Sequence, residues 1–333
     1  MTTRASSVAA PAPLRPPPPV GDDLVRVEER LAAEIGSREA RLADIGAHLV
    51  GAGGKRIRPA VVLLAFHAAA TSGGAARRDD AIDAAVALEL IHSATLLHDD
   101  IIDGGETRRG RPSALSTFGL ADTLVAGDFL FSRAFALCAR FEAEVIGWAA
   151  EACISLTEGE VMQGRFRRNP AVTVADYEEI IERKTASLFA AGARTAAHLA
   201  GAPVALVEAM ASCGRHVGLA FQVSDDLLDV QGRATVTGKP SGLDLRDGNP
   251  SLPIVLALRR DPELARLFAS GEPSPAEVER GLERIRASGV LGEVAERAAS
   301  HVAAALAEIA RLPPSPYRDA LETLAGGLVD RPS

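Results

Sequence analysis

The chain has 333 residues, a net charge of −8, 47% hydrophobic and 24% charged residues, and only 4% aromatics. That composition fits a soluble globular protein; with no Lys/Arg run and no basic stripe, it excludes an obvious nucleic-acid binder. Cys138, Cys153 and Cys213 are odd in number and embedded in apolar sequence, so neither a disulfide framework nor a zinc site is expected.

Residues 1–20 are rich in Ala, Pro and Ser and carry only Arg4 and Arg15 as charged side chains, so they read as a disordered tail rather than a signal peptide. Residues 21–330 read as one domain. From Asp22 onward apolar residues recur every three or four positions, and Ala and Leu dominate, both good helix formers. The spacing predicts helices over 22–50, 57–71, 79–103, 121–142, 144–165, 174–200, 203–231, 250–259, 275–287, 290–311 and 316–327. Breaks fall at Gly51-Ala52-Gly53-Gly54, Ser72-Gly73-Gly74, Gly104-Gly105, Asn169-Pro170 and the stretch from Gly232 to Pro253. No hairpin signal or repeat is visible, and the short connections favour antiparallel neighbours. The expected fold is all-α, a single large helical bundle around a central cavity. No stretch approaches ~18 uninterrupted apolar residues, so no transmembrane segment is expected, and the location is read as cytoplasmic.

Two aspartate clusters interrupt this apolar pattern. Asp99, Asp100 and Asp103 end the helix expected over 79–103, and Asp225, Asp226 and Asp229 repeat the same D-D-x-x-D spacing on the helix expected over 203–231. The first and third carboxylates of each cluster are four residues apart and share a helix face. Toward a helix C-terminus the macrodipole disfavours negative charge, and like charges at that spacing repel. A single cluster could be a solvated helix end. Two copies point to a hard divalent cation, Mg²⁺, shared with a ligand's phosphate oxygens, with all six aspartates as candidate metal ligands.

A diphosphate also needs fixed cations. Lys55, Arg56 and Arg58 open a helix after a glycine-rich loop, Arg108 and Arg109 follow the first cluster, and Lys184 (beside Thr185) and Lys239 add further candidates. His92 lies seven residues before Asp99 on the same stripe, where it either faces the same cavity or is a satisfied core histidine.

These residues resemble one family, the trans-isoprenyl diphosphate synthases or polyprenyl synthetases. The resemblance rests on Gly54-Lys55-Arg56-Ile57-Arg58-Pro59, the run from Glu89 to Asp103, Arg108-Arg109-Gly110, Lys184-Thr185-Ala186 and the run from Phe221 to Asp229, in the family's order across about Gly53 to Pro253. It implies the isoprenoid synthase fold, a homodimer, and condensation of isopentenyl diphosphate with an allylic diphosphate primer. It further implies that Asp99 and Asp103 ligate two Mg²⁺ ions and Asp225 a third, with Asp229 supporting. Arg108, Lys184, Thr185, Gln222 and Lys239 would hold the allylic diphosphate, and Lys55, Arg58, His92 and Arg109 the isopentenyl diphosphate. Asp99, Asp103, Arg108, Lys184 and Asp225 would thus be the catalytic set. One departure stands out: Asn249 occupies the place of a usual lysine contact to the allylic diphosphate.

The run around His92 to His98 looks most like synthases of long quinone side chains, with a geranylgeranyl or farnesyl diphosphate synthase as the alternative. Ala94 and Thr95, small and one turn before the first cluster, would line the product tunnel, while Phe131 and Phe135, an i, i+4 pair, are candidates for its floor or for ordinary core packing. A class I terpene cyclase is more remote, because it would not need sites for a second diphosphate. A ferritin-like di-iron bundle would need a second E-x-x-H beside Glu89–His92. A non-catalytic partner subunit should have lost its acidic motifs.

Overall fold

Helical periodicity persists through nearly the whole chain, and the computed structural model follows it over the residues it describes, 16–51, 53–70, 77–108, 110–232 and 241–329. In chain order these are α1 (Val20–Glu34), α2 (Ala40–Val50), α3 (Ile57–Ala69), α4 (Arg78–Ile102), a hairpin of β1 (Thr107–Arg108) and β2 (Arg111–Pro112), α5 (Ala114–Phe118), α6 (Leu120–Cys138) and α7 (Ala143–Phe166). There follow α8 (Val174–Ile181), a π turn (Glu182–Ala186), α9 (Ser187–Leu199), α10 (Val204–Gln231), α11 (Leu243–Asp247), α12 (Leu252–Leu258), α13 (Pro262–Ala269), α14 (Pro275–Ala287), α15 (Val290–Ile309) and α16 (Pro316–Gly326).

Several expectations are corrected. The helix expected over 22–50 is two helices, because the chain breaks at Gly36-Ser37, where Ser37 Oγ accepts the Glu39 N–H and the Glu39 carboxylate accepts the Arg41 N–H. Such local side-chain bonds compete with the helix ladder. The helix expected over 174–200 contains the π turn. A small antiparallel hairpin pairs Thr107 with Pro112 and Arg108 with Arg111, too short for any alternation to announce it. The stretch from Gly232 to Pro253 includes α11, and α13 follows α12 with its own N-cap, Asp261 accepting from Glu263 and Leu264 N–H at 2.9 and 3.1 Å.

α3 is buried all round, every residue from Pro59 to Phe66, which marks it as an inner helix. It packs on α4 and α9; α4 also packs on α1 and α6, and α10 packs on α9, α15 and the π turn. A second apolar cluster joins α8, α10 and α12 to α15. The two helices that carry the aspartate clusters, α4 and α10, are long and apolar enough to cross a bilayer by length and composition alone. Their most apolar windows are, however, 78% and 50% buried within the bundle.

α10 and α15 are joined by a histidine pair, His216 Nδ1 to His301 Nδ1 at 3.2 Å. Burial, His216, Arg215 and Arg297 push His301 down to about 4, and burial with Arg215 lowers His216 against the opposing pull of Glu182 and Glu308. A depressed folded-state value means that the unfolded chain binds more protons between it and the ordinary 6.5. This stabilising contribution is therefore complete above about pH 6.5 and is lost as pH falls toward 4. Urea unfolding at pH 7 and pH 5 should show that loss, and His301→Gln should reduce it.

Candidate active site

The first acidic wall is the last turn of α4. Burial pushes Asp99 up to about 6 against the pull of Lys184, and Glu160 and Asp103 add repulsion. Asp103, the C-cap of α4, pairs with Arg167. Asp100 turns the other way: it is 2% exposed and accepts from Arg108 Nε at 2.7 Å, tying α4 to the hairpin. Burial raises its pKa, with Arg108 opposing.

The second wall lies near the end of α10, and its three carboxylates part in the same way. Asp225 is exposed, whereas Asp226 is 4% exposed and surrounded by donors. Tyr177 Oη and Leu252 N–H donate to its Oδ2 at 2.7 and 3.0 Å, and Gln222 Nε2 donates to its Oδ1 at 2.9 Å. Burial still pushes Asp226 up to about 7. Asp229 accepts from Leu243 and Asp244 N–H at 3.2 and 3.3 Å, so it caps α11 from a distant point in the chain. That brings in Asp244, a fourth carboxylate of this wall that sequence reasoning missed. Burial, then Asp229, Asp226 and Asp225, hold its pKa well above the ordinary value.

The π turn joins the walls with two consecutive side chains. Lys184 Nζ lies 3.9 Å from Asp99 Oδ1 and contacts Glu160, while Thr185 Oγ1 donates to Gln222 Oε1 at 3.0 Å. Burial opposes the Lys184 charge, but Asp99 and Glu160 prevail and hold its pKa above the ordinary value. α7 approaches closely enough for this only because it carries Gly159, where a Cβ would lie 2.7 Å from the Lys184 backbone nitrogen. Glu160 was also missed, since its position in α7 carries no spacing signal.

Of the outer cations, Lys55 is exposed just before α3. Arg56, in a left-handed conformation with φ 48°, donates to Glu89 at 2.9 Å and pairs with Glu28 rather than facing the walls. Arg58 stacks over Phe189 and Phe221 at 4.8 and 5.9 Å, and its buried Nε has no hydrogen-bond partner among the described residues. Burial lowers its pKa, so a bound anion there would relieve a real cost. His92 is half-buried on α4. Arg109 and Lys239 lie outside the described residues.

Ala94 is fully buried, and Thr95 donates its hydroxyl to His92 O at 2.8 Å. Phe131 is half-buried, its ring 5.9 Å from that of His98. Phe135, on α6, is 39% exposed. An open groove of about 450 Å³ between α7 and α8 is lined by Glu158, Val161, Arg165 and Arg183 among others, and by no residue of either aspartate cluster. Charge and burial converge instead between the walls.

Among the described residues no three His, Cys, Asp or Glu side chains stand close enough to hold a metal by themselves. The outward carboxylates Asp99, Asp103 and Asp225 are hard oxygen donors, which fits Mg²⁺, an ion that takes one or two carboxylates and completes its shell with water and phosphate.

A family model described as polyprenyl synthetase matches residues 39–285. The chain is 35% identical over 320 residues to the octaprenyl diphosphate synthase of Haemophilus influenzae, covering 93% of this chain and 94% of that protein. It is 33% identical to the geranylgeranyl diphosphate synthase of Methanosarcina mazei, over 89% of this chain and 91% of that protein. A polyprenyl synthase from Caulobacter crescentus, solved with calcium and isoprenyl diphosphate, superposes with a TM-score of 0.88 at 37% identity, covering 94% of this chain and 95% of that one. With a family match over most of its length and relatives that share its helical fold, this chain belongs to the polyprenyl synthetase family and is a prenyltransferase.

Proposed function

We propose that the chain is a magnesium-dependent trans-prenyltransferase that joins isopentenyl diphosphate to an allylic diphosphate and builds a long-chain polyprenyl diphosphate. The observation that carries this reading is the pair of carboxylate walls bridged by adjacent side chains, Lys184 on Asp99 and Thr185 on Gln222. Asp99, Asp103 and Asp225 would hold the ions, about three per site, with Asp229 in support. Asp226 instead anchors its wall, since protein donors take both of its oxygens. Asp100 anchors the other through Oδ1 on Arg108, while its buried Oδ2 has no hydrogen-bond partner among the described residues. When bound, the ions neutralise phosphate charge and make diphosphate a better leaving group.

The chain's own residues do the rest. Lys184, Arg108, Thr185, Gln222 and Lys239 orient the allylic diphosphate, and Lys55, Arg58, His92 and Arg109 the isopentenyl diphosphate. As the allylic C–O bond breaks, its electron pair leaves with diphosphate, and the fixed cations stabilise that growing charge. The double bond of isopentenyl diphosphate then attacks the allylic carbon, and the released diphosphate takes the proton that is lost. Apolar residues of α4 and α9 keep water from the cation. Small Ala94 and Thr95 leave room for a long tail, and half-buried Phe131 is the better placed of the two aromatics to limit it. Leu120, Leu124 and Val125 on α6 and Ile154 and Val161 on α7 are exposed large apolar residues, and they suit burial in a homodimer. The enzyme would work in the cytoplasm.

Incubation with farnesyl diphosphate, isopentenyl diphosphate and Mg²⁺ should release diphosphate and give products longer than geranylgeranyl diphosphate by mass spectrometry. Products no longer than that would mean the shorter-chain reading. Asp99→Ala or Asp225→Ala should cut turnover at least ~10³-fold at unchanged helix content; near-normal turnover in either variant is incompatible with the two-wall arrangement. Lys184→Ala should raise chiefly the allylic KM, and Lys55→Ala chiefly the isopentenyl KM. Tyr177→Phe removes one donor to buried Asp226 and should cost about 1–3 kcal/mol in urea unfolding.

A further inference from the structure

α7 ends in Arg165-Phe166-Arg167-Arg168, and the chain turns sharply there. Arg168 is left-handed, φ 55°, and three hydrogen bonds hold it: its N–H to Gly248 O at 2.9 Å, its Nη2 to Arg246 O at 3.0 Å and its Nη1 to Ser270 O at 2.8 Å. Gly248 is itself at φ 74°, and a Cβ on it would fall 2.4 Å from Arg168 Cγ, so a side chain at position 248 would disrupt this junction.

The junction aims the preceding side chain, Arg167, between the two walls. Its Nη2 pairs with Asp103, its Nη1 donates to Ile102 O at 3.3 Å and its Nε donates to Asn249 Oδ1 at 3.3 Å. Gln163 Nε2 reaches the same oxygen at 3.5 Å, and Asn249 N–H donates to Asp244 O at 2.8 Å. One guanidinium thus touches the carboxylate that ends the first wall and the loop that completes the second. A planar fork of N–H donors suits phosphate as well as it suits carboxylate.

We propose that Arg167 is a substrate-binding residue of this enzyme: its guanidinium, paired here with Asp103, takes the diphosphate of the allylic substrate once a cation engages that carboxylate. The proposal rests on the function proposed above and deepens it. It also accounts for Asn249, where the family resemblance leads one to expect a lysine. The positive charge reaches the same space from α7 instead, and Asn249 accepts a bond from its carrier. An ion pair that merely capped α4 would stabilise the fold without favouring one substrate over the other.

The test compares wild type, Arg167→Ala, Asn249→Lys and the double variant with saturating Mg²⁺, varying each substrate in turn and checking the fold by urea unfolding. Arg167→Ala should raise the allylic KM about tenfold or more with little change in the isopentenyl KM. Adding Asn249→Lys, whose ammonium reaches the same space, should restore most of the loss. Calorimetric titration of inorganic diphosphate with Mg²⁺ should show the same weakening and rescue. An unchanged allylic KM, equal movement of both KM values, or failure of the lysine to rescue would overturn the assignment. If wild type binds diphosphate through Arg167 but turns nothing over, the proposed function falls and the role of Arg167 stands.

Discussion

Carboxylates that repel one another in a buried place are the constraint on which the rest of this structure depends. Asp99, Asp103 and Glu160 gather at the end of α4, and Asp225, Asp226, Asp229 and Asp244 at the end of α10. Two like charges 4 Å apart cost ~4 kcal/mol at an effective dielectric of 20, a large fraction of a domain's whole stability. Burial is the larger cause of the pKa shifts, and with repulsion added to it Asp99 rises to about 6 and Asp226 to about 7. Such an arrangement persists only if cations and donors are built around it, and each is identifiable: Lys184, Arg167 and Arg108 on the first wall, and Tyr177, Gln222 and the Leu252 amide on the second.

The π turn is what lets one short segment serve both walls. Consecutive residues of a helical turn point in different directions, so Lys184 and Thr185 diverge, one toward Asp99 and the next toward Gln222. The close approach of α7 at Gly159 keeps that turn from relaxing outward. Local irregularity here is therefore tied to the chemistry, as is common where a helix carries a π bulge.

Much of this was legible in the sequence, because helices of three or more turns announce themselves by period and because D-D-x-x-D repeats are visible as spacing. The elements that escaped are those fixed by distant partners or by few residues. The cap of α11 is Asp229, far upstream in the chain, so nothing near Leu243 marks it. The hairpin is too short to alternate. α13 did carry its signal, Asp261 before Pro262, but its eight residues form less than three turns of periodicity. Glu160, Asp244 and Arg167 escaped for a different reason: each is an ordinary charged residue until the fold sets it beside a wall. The i, i+4 spacing of Phe131 and Phe135 says that two rings share a helix face but not whether that face looks inward, and Phe135 is 39% exposed.

Within each aspartate repeat the three carboxylates meet different surroundings. Spacing alone offers six equivalent ligands, whereas the fold gives the three carboxylates of each D-D-x-x-D run different neighbours. The first and last lie about 40° apart around the helix, and the middle one about 100° from the first and about 60° from the last. In both walls the middle residue is the most buried of the three and is held by protein donors, Asp100 by the hairpin's Arg108 and Asp226 by Tyr177 on α8 and the amide that opens α12. Each wall is thereby fastened to a neighbouring element by its middle carboxylate. In the second wall Asp229 shares that duty, since it accepts from the amides that open α11. These donors offset part of the repulsion that a carboxylate near a helix C-terminus would otherwise meet.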